Sequence, residues 1–395
     1  MQYRQHRGLL IAVSYATTCM LGVYVTVYQY TILTIAQSFG VNAAVMGFMI
    51  GMQYLGMSAP PLFIGMFSGR YGKKKLLIAS YAFIILGALL VGFTHSIAAF
   101  IGSVFIIGAG FSVTEATTSA VLSDEFPEAS RRHLNFSQVG FSVGALAGPL
   151  IAESLISRGV AVMHLYLLCG AAFLLLALLF LSTRHHNDKG AAPTAVTNPL
   201  KLLGSRAFLF LALGICVYVG LETVIANYTD SYYELSLHEP AFSALALSLF
   251  WGAMMPSRLL AGIIRTGMKK IFLSLSALLI VSVLAAMLVP NLTAKLVCFA
   301  LAGFACGPLW PLMMDAAAQR SKGSSGPVLG VMMAFSGLGG AVLPFAVGGI
   351  VNASDPSSAY YLCAAAAVLM LGMYLLSLCS LTSKTRMRAL NRKKA

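Results

Sequence analysis

Acid is what this chain has least of: 12 Asp and Glu stand against 26 Lys and Arg in 395 residues. Only 10% of its residues are charged, where a soluble domain carries about 25%. So few polar groups cannot coat a soluble globule that is 58% hydrophobic, and the same apolar content excludes a disordered chain. Cysteines are few and ill placed for bridging. All seven (Cys19, Cys169, Cys216, Cys298, Cys306, Cys363 and Cys379) fall inside long apolar runs, without the paired spacing of a disulfide framework. Histidine is missing from the middle of every run: His6, His133, His185, His186 and His238 lie in loops or tails, and His95 and His164 near run ends.

What the chain does have is twelve apolar runs long enough to cross about 30 Å of hydrocarbon as helices of roughly 20 residues. They occupy residues 9–36, 44–68, 76–95, 97–121, 134–157, 161–182, 207–232, 241–263, 271–290, 294–318, 326–352 and 357–381. The first is too long for a signal-peptide core and is followed by eleven more, so it is expected to stay in the mature protein. Basic residues gather in alternate loops and both tails, with only Arg158 and Lys295 standing apart. The positive-inside rule then predicts a multi-pass protein of the cytoplasmic (inner) membrane with both termini in the cytoplasm. Topology accounts for the net charge of +14, so no nucleic-acid partner is expected.

The chain also repeats itself. Arg70-Tyr71-Gly72-Lys73-Lys74 after the second run matches Arg265-Thr266-Gly267-Met268-Lys269 after the eighth, and Gly144 and Pro149 match Gly339 and Pro344, all 195 residues apart. Six crossings return a chain to its starting side, so a six-helix unit duplicated with its orientation kept. The expected division is an N-terminal bundle at 1–183, a cytoplasmic linker at 184–206 and a C-terminal bundle with a basic tail at 207–395. Parallel six-helix halves around a midplane site describe a rocking, alternating-access transporter.

Within the runs, ionisable side chains are costly, about 2.5–3.5 kcal/mol each on insertion scales, and are functional candidates by default. Glu222 lies near the centre of its run, Glu115 is somewhat cytoplasmic of centre, and Glu153 and Asp315 lie toward run ends. A carboxyl withdrawn from water exchanges its proton nearer neutral pH than an exposed one. Glu115 and Glu222 are therefore the candidates for proton coupling, with a structural, interhelically bonded acid as the alternative.

A polyol needs several donors and acceptors beside an apolar or aromatic platform. Tyr24, Tyr28 and Gln29 on the first run, Asn135, Gln138 and Ser142 on the fifth, Tyr218 and Asn227 on the seventh, and the two tryptophans, Trp251 and Trp310, are the candidate substrate contacts; interhelical bonding or core packing is the alternative for each. Arg70, Arg258 and Asp315 are gate candidates, with Arg258 pairing Asp315 when the cavity shuts inward. Adjacent methionines such as Met254-Met255 diverge by about 100 degrees on a helix and do not chelate, so no metal or cofactor is expected. Gly140-Phe141-Ser142-Val143-Gly144 matches a hydrolase nucleophile pattern but sits inside a helix, and no enzyme activity is expected.

The loop Gly65-Met66-Phe67-Ser68-Gly69-Arg70-Tyr71-Gly72-Lys73-Lys74 resembles the signature between helices two and three of the major facilitator superfamily, with Gly69 where that signature usually has an acid. Leu134 to Gln138 running into Phe141 to Pro149, Tyr218-Val219-Gly220-Leu221-Glu222, and Gly339 to Pro344 are similar to segments of the fucose:proton symporter family of sugar carriers. The resemblance implies an all-α, twelve-helix major facilitator fold and proton-coupled uptake of a monosaccharide, with an acid on helix four matched by Glu115. The family's helix-one acid falls on Gln29, a departure from a two-acid relay in the first half. The expected function is proton-coupled uptake of a sugar or similar small polar solute, by a monomer, with protons, solute and lipid as its partners. Proton-coupled efflux of drugs or metabolites and an uncoupled facilitator remain open, because the glycine-rich pattern of helix five also occurs in superfamily drug antiporters.

Overall fold

The computed structural model describes residues 2–60, 72–183, 203–263, 267–319 and 326–394. Helices account for nearly all of them: α1 (Gln2–Ser38), α2 (Ala43–Ser58), α3 (Lys73–Phe93), α4 (Ile97–Glu125), α5 (Ser130–Ile156), α6 (Val162–Leu181), α7 (Arg206–Ser231), α8 (Ser243–Ile263), α9 (Met268–Leu288), α10a (Leu292–Cys306) with α10b (Leu309–Ala318), α11 (Gly326–Ala353) and α12 (Ser358–Lys394). Eleven described spans are long and apolar enough to cross a membrane. The twelfth expected crossing is the shorter Ala43–Ser58, and residues 61–68 of that run lie outside the described residues.

Four contacts fix which helix ends lie together. Arg7 Nη2 donates to Glu125 O at 2.8 Å, and Lys73 pairs with Asp124, joining the starts of α1 and α3 to the end of α4. Lys74 Nζ donates to Thr183 O at 2.8 Å, adding the end of α6 to this near end of the molecule. At the far end, Gln37 Nε2 donates to Glu234 Oε1 at 2.9 Å, joining the end of α1 to the turn after α7. Asn42 and Asn291 cap α2 and α10a by accepting from Val45 N and Ala294 N, satisfying donors that a helix start leaves free.

The glycines that reveal the repeat have one structural role in both halves. A Cβ on Gly144 of α5 would overlap the carbonyl oxygen of Cys19 on α1, and a Cβ on Gly339 of α11 would overlap that of Cys216 on α7. Small residues let helices approach to backbone contact where lipid offers no hydrophobic drive to associate. Between halves, α2 packs on α11 and α5 on α8. Large apolar side chains such as Phe83, Phe93, Leu175, Val281 and Leu288 stay exposed around the outside, which suits lipid and not water.

Three features depart from the expected spans. α7 runs on through a π-helical turn, Tyr232–Ser236, past the expected end at 232. α12 continues as helix through the basic tail to Lys394. The tenth run is broken at Gly307-Pro308 because Pro308 has no N–H to continue the ladder.

Candidate functional site

Non-helical backbone at membrane depth is tolerated where it is buried in protein, and Gly307 and Pro308 are both buried. Pro311 has no N–H to give the carbonyl of Gly307 four residues earlier. Arg258 Nε of α8 supplies it at 3.1 Å. Tyr218 of α7 places its hydroxyl 2.8 Å from Cys306 O, the last residue of α10a, and 2.8 Å from Glu222 Oε1 one turn along its own helix.

Of these groups, Glu222 and Arg258 border a cavity of about 190 Å³ between the halves. Glu115 of α4 and Gln138 of α5 line it from the first half; Glu222 of α7, Trp251 and Arg258 of α8 and Trp310 of α10b line it from the second. Arg258 lies within electrostatic reach of both Glu115 and Glu222, and Gln138 lies beside Glu115. One cation therefore lies within electrostatic reach of two carboxylates that line the same cavity. The far side of the cavity is shut by α2 against α11, where a Cβ on Gly51 would meet Ala341 O at 2.6 Å, and by the Gln37–Glu234 bridge.

The structure distributes the expected site residues unevenly. Glu115, Gln138, Glu222, Trp251, Arg258 and Trp310 line the cavity. Gln29 instead accepts from Trp251 Nε1 at 2.8 Å in the buried seam between α1 and α8. Tyr24 and Tyr28 are fully buried beside this seam, Tyr24 edge-on to Tyr166, and neither hydroxyl has a hydrogen-bond partner. Ser142 turns back to Gln138 O of its own helix, and Asn227 Nδ2 to Thr223 O. Tyr218 sits behind Glu222. The Arg258–Asp315 gate pair is not formed: Arg258 is held by the broken helix, while Asp315 is exposed and accepts from Gln319 Nε2 at 2.7 Å. Arg70 and the side chain of Asn135 lie outside the described residues.

Sequence reasoning missed Tyr54 and Met57 of α2, Phe111 and Ser112 of α4, Phe141 of α5 and Met333 and Ser336 of α11. Ser112 lies three residues before Glu115 on the same helix face, a signal that was available. No group of three or more metal-ligating side chains occurs among the described residues.

The sequence pattern of the Major Facilitator Superfamily matches residues 13–294, well over half the chain. The chain belongs to that superfamily. As a superfamily member it is a transporter and not an enzyme, a multi-pass membrane protein whose cargo is a small molecule. Among curated relatives it is 26% identical to the glucose/mannose transporter GlcP of Bacillus subtilis (strain 168) over 63% of this chain and 64% of that protein, just under two thirds of GlcP's length. It is 26% identical to the uncharacterized superfamily transporter YuxJ of the same organism over 88% of this chain and 90% of that one. Among solved structures, a variant of the nucleoside transporter NupG superposes with a TM-score of 0.77 at 13% identity, covering 94% of this chain and 99% of that one. FucP in its outward conformation superposes at 0.67 and 18% identity, over 93% and 98%. At these identities the structures share the superfamily's twelve-helix fold.

Proposed function

We propose that this superfamily member imports a small neutral sugar or related polyol together with protons, by alternating access. The observation that carries the proposal is that Glu115 and Glu222 face one cavity from opposite halves, with Arg258 within reach of both. A proton bound on either acid changes the charge of the compartment that the solute enters, so solute and proton occupancy are felt by the same groups. Gln138, Ser112, Ser336 and Tyr54 offer hydrogen-bonding groups, and Trp251 and Trp310 offer ring faces of the kind that a pyranose needs. The name of the glucose/mannose transporter GlcP supports the substrate class.

With the basic loops in the cytoplasm, the near end is the inner one, and the state described here is shut to the outside. Uphill uptake follows if the halves reorient readily when solute and proton are both bound, or both absent, and slowly when only one is bound. The proposed bundles are residues 1–183 and 207–395, joined by a cytoplasmic linker, and one chain forms the whole cavity, so a monomer suffices.

Purified protein in liposomes, given an imposed inward proton gradient and a panel of radiolabelled monosaccharides, tests the proposal. Accumulation of one sugar above its outside concentration, abolished by a protonophore, is expected. Expulsion of a lipophilic or metabolite substrate by the same gradient contradicts it.

A further inference from the structure

The Tyr218 hydroxyl lies 2.8 Å from two oxygens at once, Glu222 Oε1 and Cys306 O. A phenol has a single hydrogen to give, and neither an ionised carboxylate nor a carbonyl has one to return. While Glu222 is ionised, both bonds cannot be made together, and the charged carboxylate takes the hydrogen because charge-assisted bonds are the stronger. When Glu222 takes a proton from the cavity, its own O–H donates to the Tyr218 oxygen, and the tyrosine hydrogen turns to Cys306 O. No proton leaves Tyr218 in either state; its O–H bond only rotates.

We propose that Tyr218 is the positioning residue through which protonation of Glu222 sets the break in α10. Cys306 is the last residue of α10a, and its carbonyl is among those that a helix end leaves without an ordinary in-helix donor. Tyr218 and Cys306 are fully buried, so no water replaces the missing donor. Proton-loaded Glu222 therefore clamps α10a to α7, and ionised Glu222 releases it. The neighbouring carbonyl, Gly307 O, stays bound to Arg258 in both states, which makes the break a hinge with one fixed and one switched bond.

The other titratable and charged groups around Glu222 are Arg258 from α8, Tyr54 from α2 and the Cys306 thiol from α10a; Cys363 of α12 adjoins Cys306, and Glu115 of α4 faces the same cavity. Arg258 is a permanent charge. The thiols and phenols ionise only in alkaline solution, leaving the two carboxyls as the groups that change in the working range. The inference rests on Glu222 being a proton carrier, as proposed above.

The test is a distance measurement on the full chain in nanodiscs, between spin labels placed by Gln319→Cys just after α10b and Ser182→Cys after α6, with Cys379→Ser removing the exposed native thiol. The parent is expected to change its distance distribution between acidic and alkaline pH. Tyr218→Phe should lose that change while still binding the proton, read with an indicator dye in weak buffer. Glu222→Gln, whose amide donates to Tyr218, should hold the acidic distribution at every pH. A wild-type pH response in Tyr218→Phe overturns the switch. If Glu222→Gln also keeps the wild-type response, the proton-carrier reading fails with it; if Glu222→Gln is locked, the switch alone fails. Should Tyr218→Phe not fold, infrared difference spectra of the unsubstituted chain carrying carbonyl-labelled cysteine decide the matter. A cysteine carbonyl band that moves to lower frequency at acidic pH is expected, and no pH-dependent cysteine carbonyl overturns the inference.

Discussion

Trp251 and Gln29 join the two halves of the molecule through a buried hydrogen bond of 2.8 Å, from the indole N–H on α8 to the amide oxygen on α1. Removing the donor leaves a buried carbonyl unpaired, at a cost of about 1–3 kcal/mol. Trp251→Phe is expected to lower the melting temperature of the purified protein and to favour the state open at the far end. Greater labelling of a cysteine introduced at Ser231, buried at the far end of α7, would report that opening, and unchanged melting and labelling would show that the bond does not hold the seam.

The glycine contacts make a sharper structural prediction. Gly339→Val drives a branched side chain into the backbone of Cys216, whereas Gly330 on the same helix has open space where its Cβ would go. Gly339→Val should cost about 1–3 kcal/mol or more through overpacking and reduce the yield of monodisperse protein, while Gly330→Ala should be close to neutral. Chromatographic yield and thermal melting check both. The counterpart Gly144→Val should behave like Gly339→Val, because the repeat gives both glycines the same work.

Asp355, in the loop before α12, supplies a pH prediction. Burial pushes its carboxyl up, but bonds from the Ser357 side chain and backbone and from Ser236 outweigh this and hold it below the ordinary value. A depressed folded-state pKa stabilises the fold above the unfolded value of about 3.9, and that contribution is lost as pH falls through the folded value. The melting difference between the parent and Asp355→Asn should therefore be constant near neutrality and shrink below about pH 4. A difference that grows on acidification contradicts this.

Much of the fold is legible in the sequence because a bilayer imposes a length and a composition on each crossing. The expected run 161–182 is the helix Val162–Leu181, and 76–95 is Lys73–Phe93. The break at Gly307-Pro308 is hidden inside a continuous apolar run, and only the two prolines at 308 and 311 betray it. That break also gives Arg258 a partner that its place in the sequence does not show, a carbonyl that Pro311 leaves without a donor. For Tyr24, Tyr28 and Gln29, polarity in an apolar helix marks a polar role without telling cavity from seam, because a helix that is apolar nearly all round has no distinguishable face. The Tyr218–Glu222 pair could be read because residues four apart share a face whatever surrounds them.

The placement of Arg258 within electrostatic reach of two acids predicts that it is needed for the cavity's charge balance. Arg258→Leu leaves Glu115 and Glu222 facing each other's compartment without a cation and removes the donor to Gly307 O. Leaving the buried Gly307 carbonyl without its donor costs about 1–3 kcal/mol. Transport and melting temperature should both fall, and Arg258→Lys, which keeps the charge and loses the Nε donor, should restore part of the stability only. Full melting stability in Arg258→Leu would show that the arginine is not integrated as described.

The central claim is that Glu115 and Glu222 carry the driving proton, and comparing two transport modes in liposomes tests it most directly. Glu115→Gln and Glu222→Gln should each abolish sugar accumulation driven by a proton gradient while leaving sugar-for-sugar exchange in progress. Undiminished gradient-driven accumulation in both variants would contradict the account.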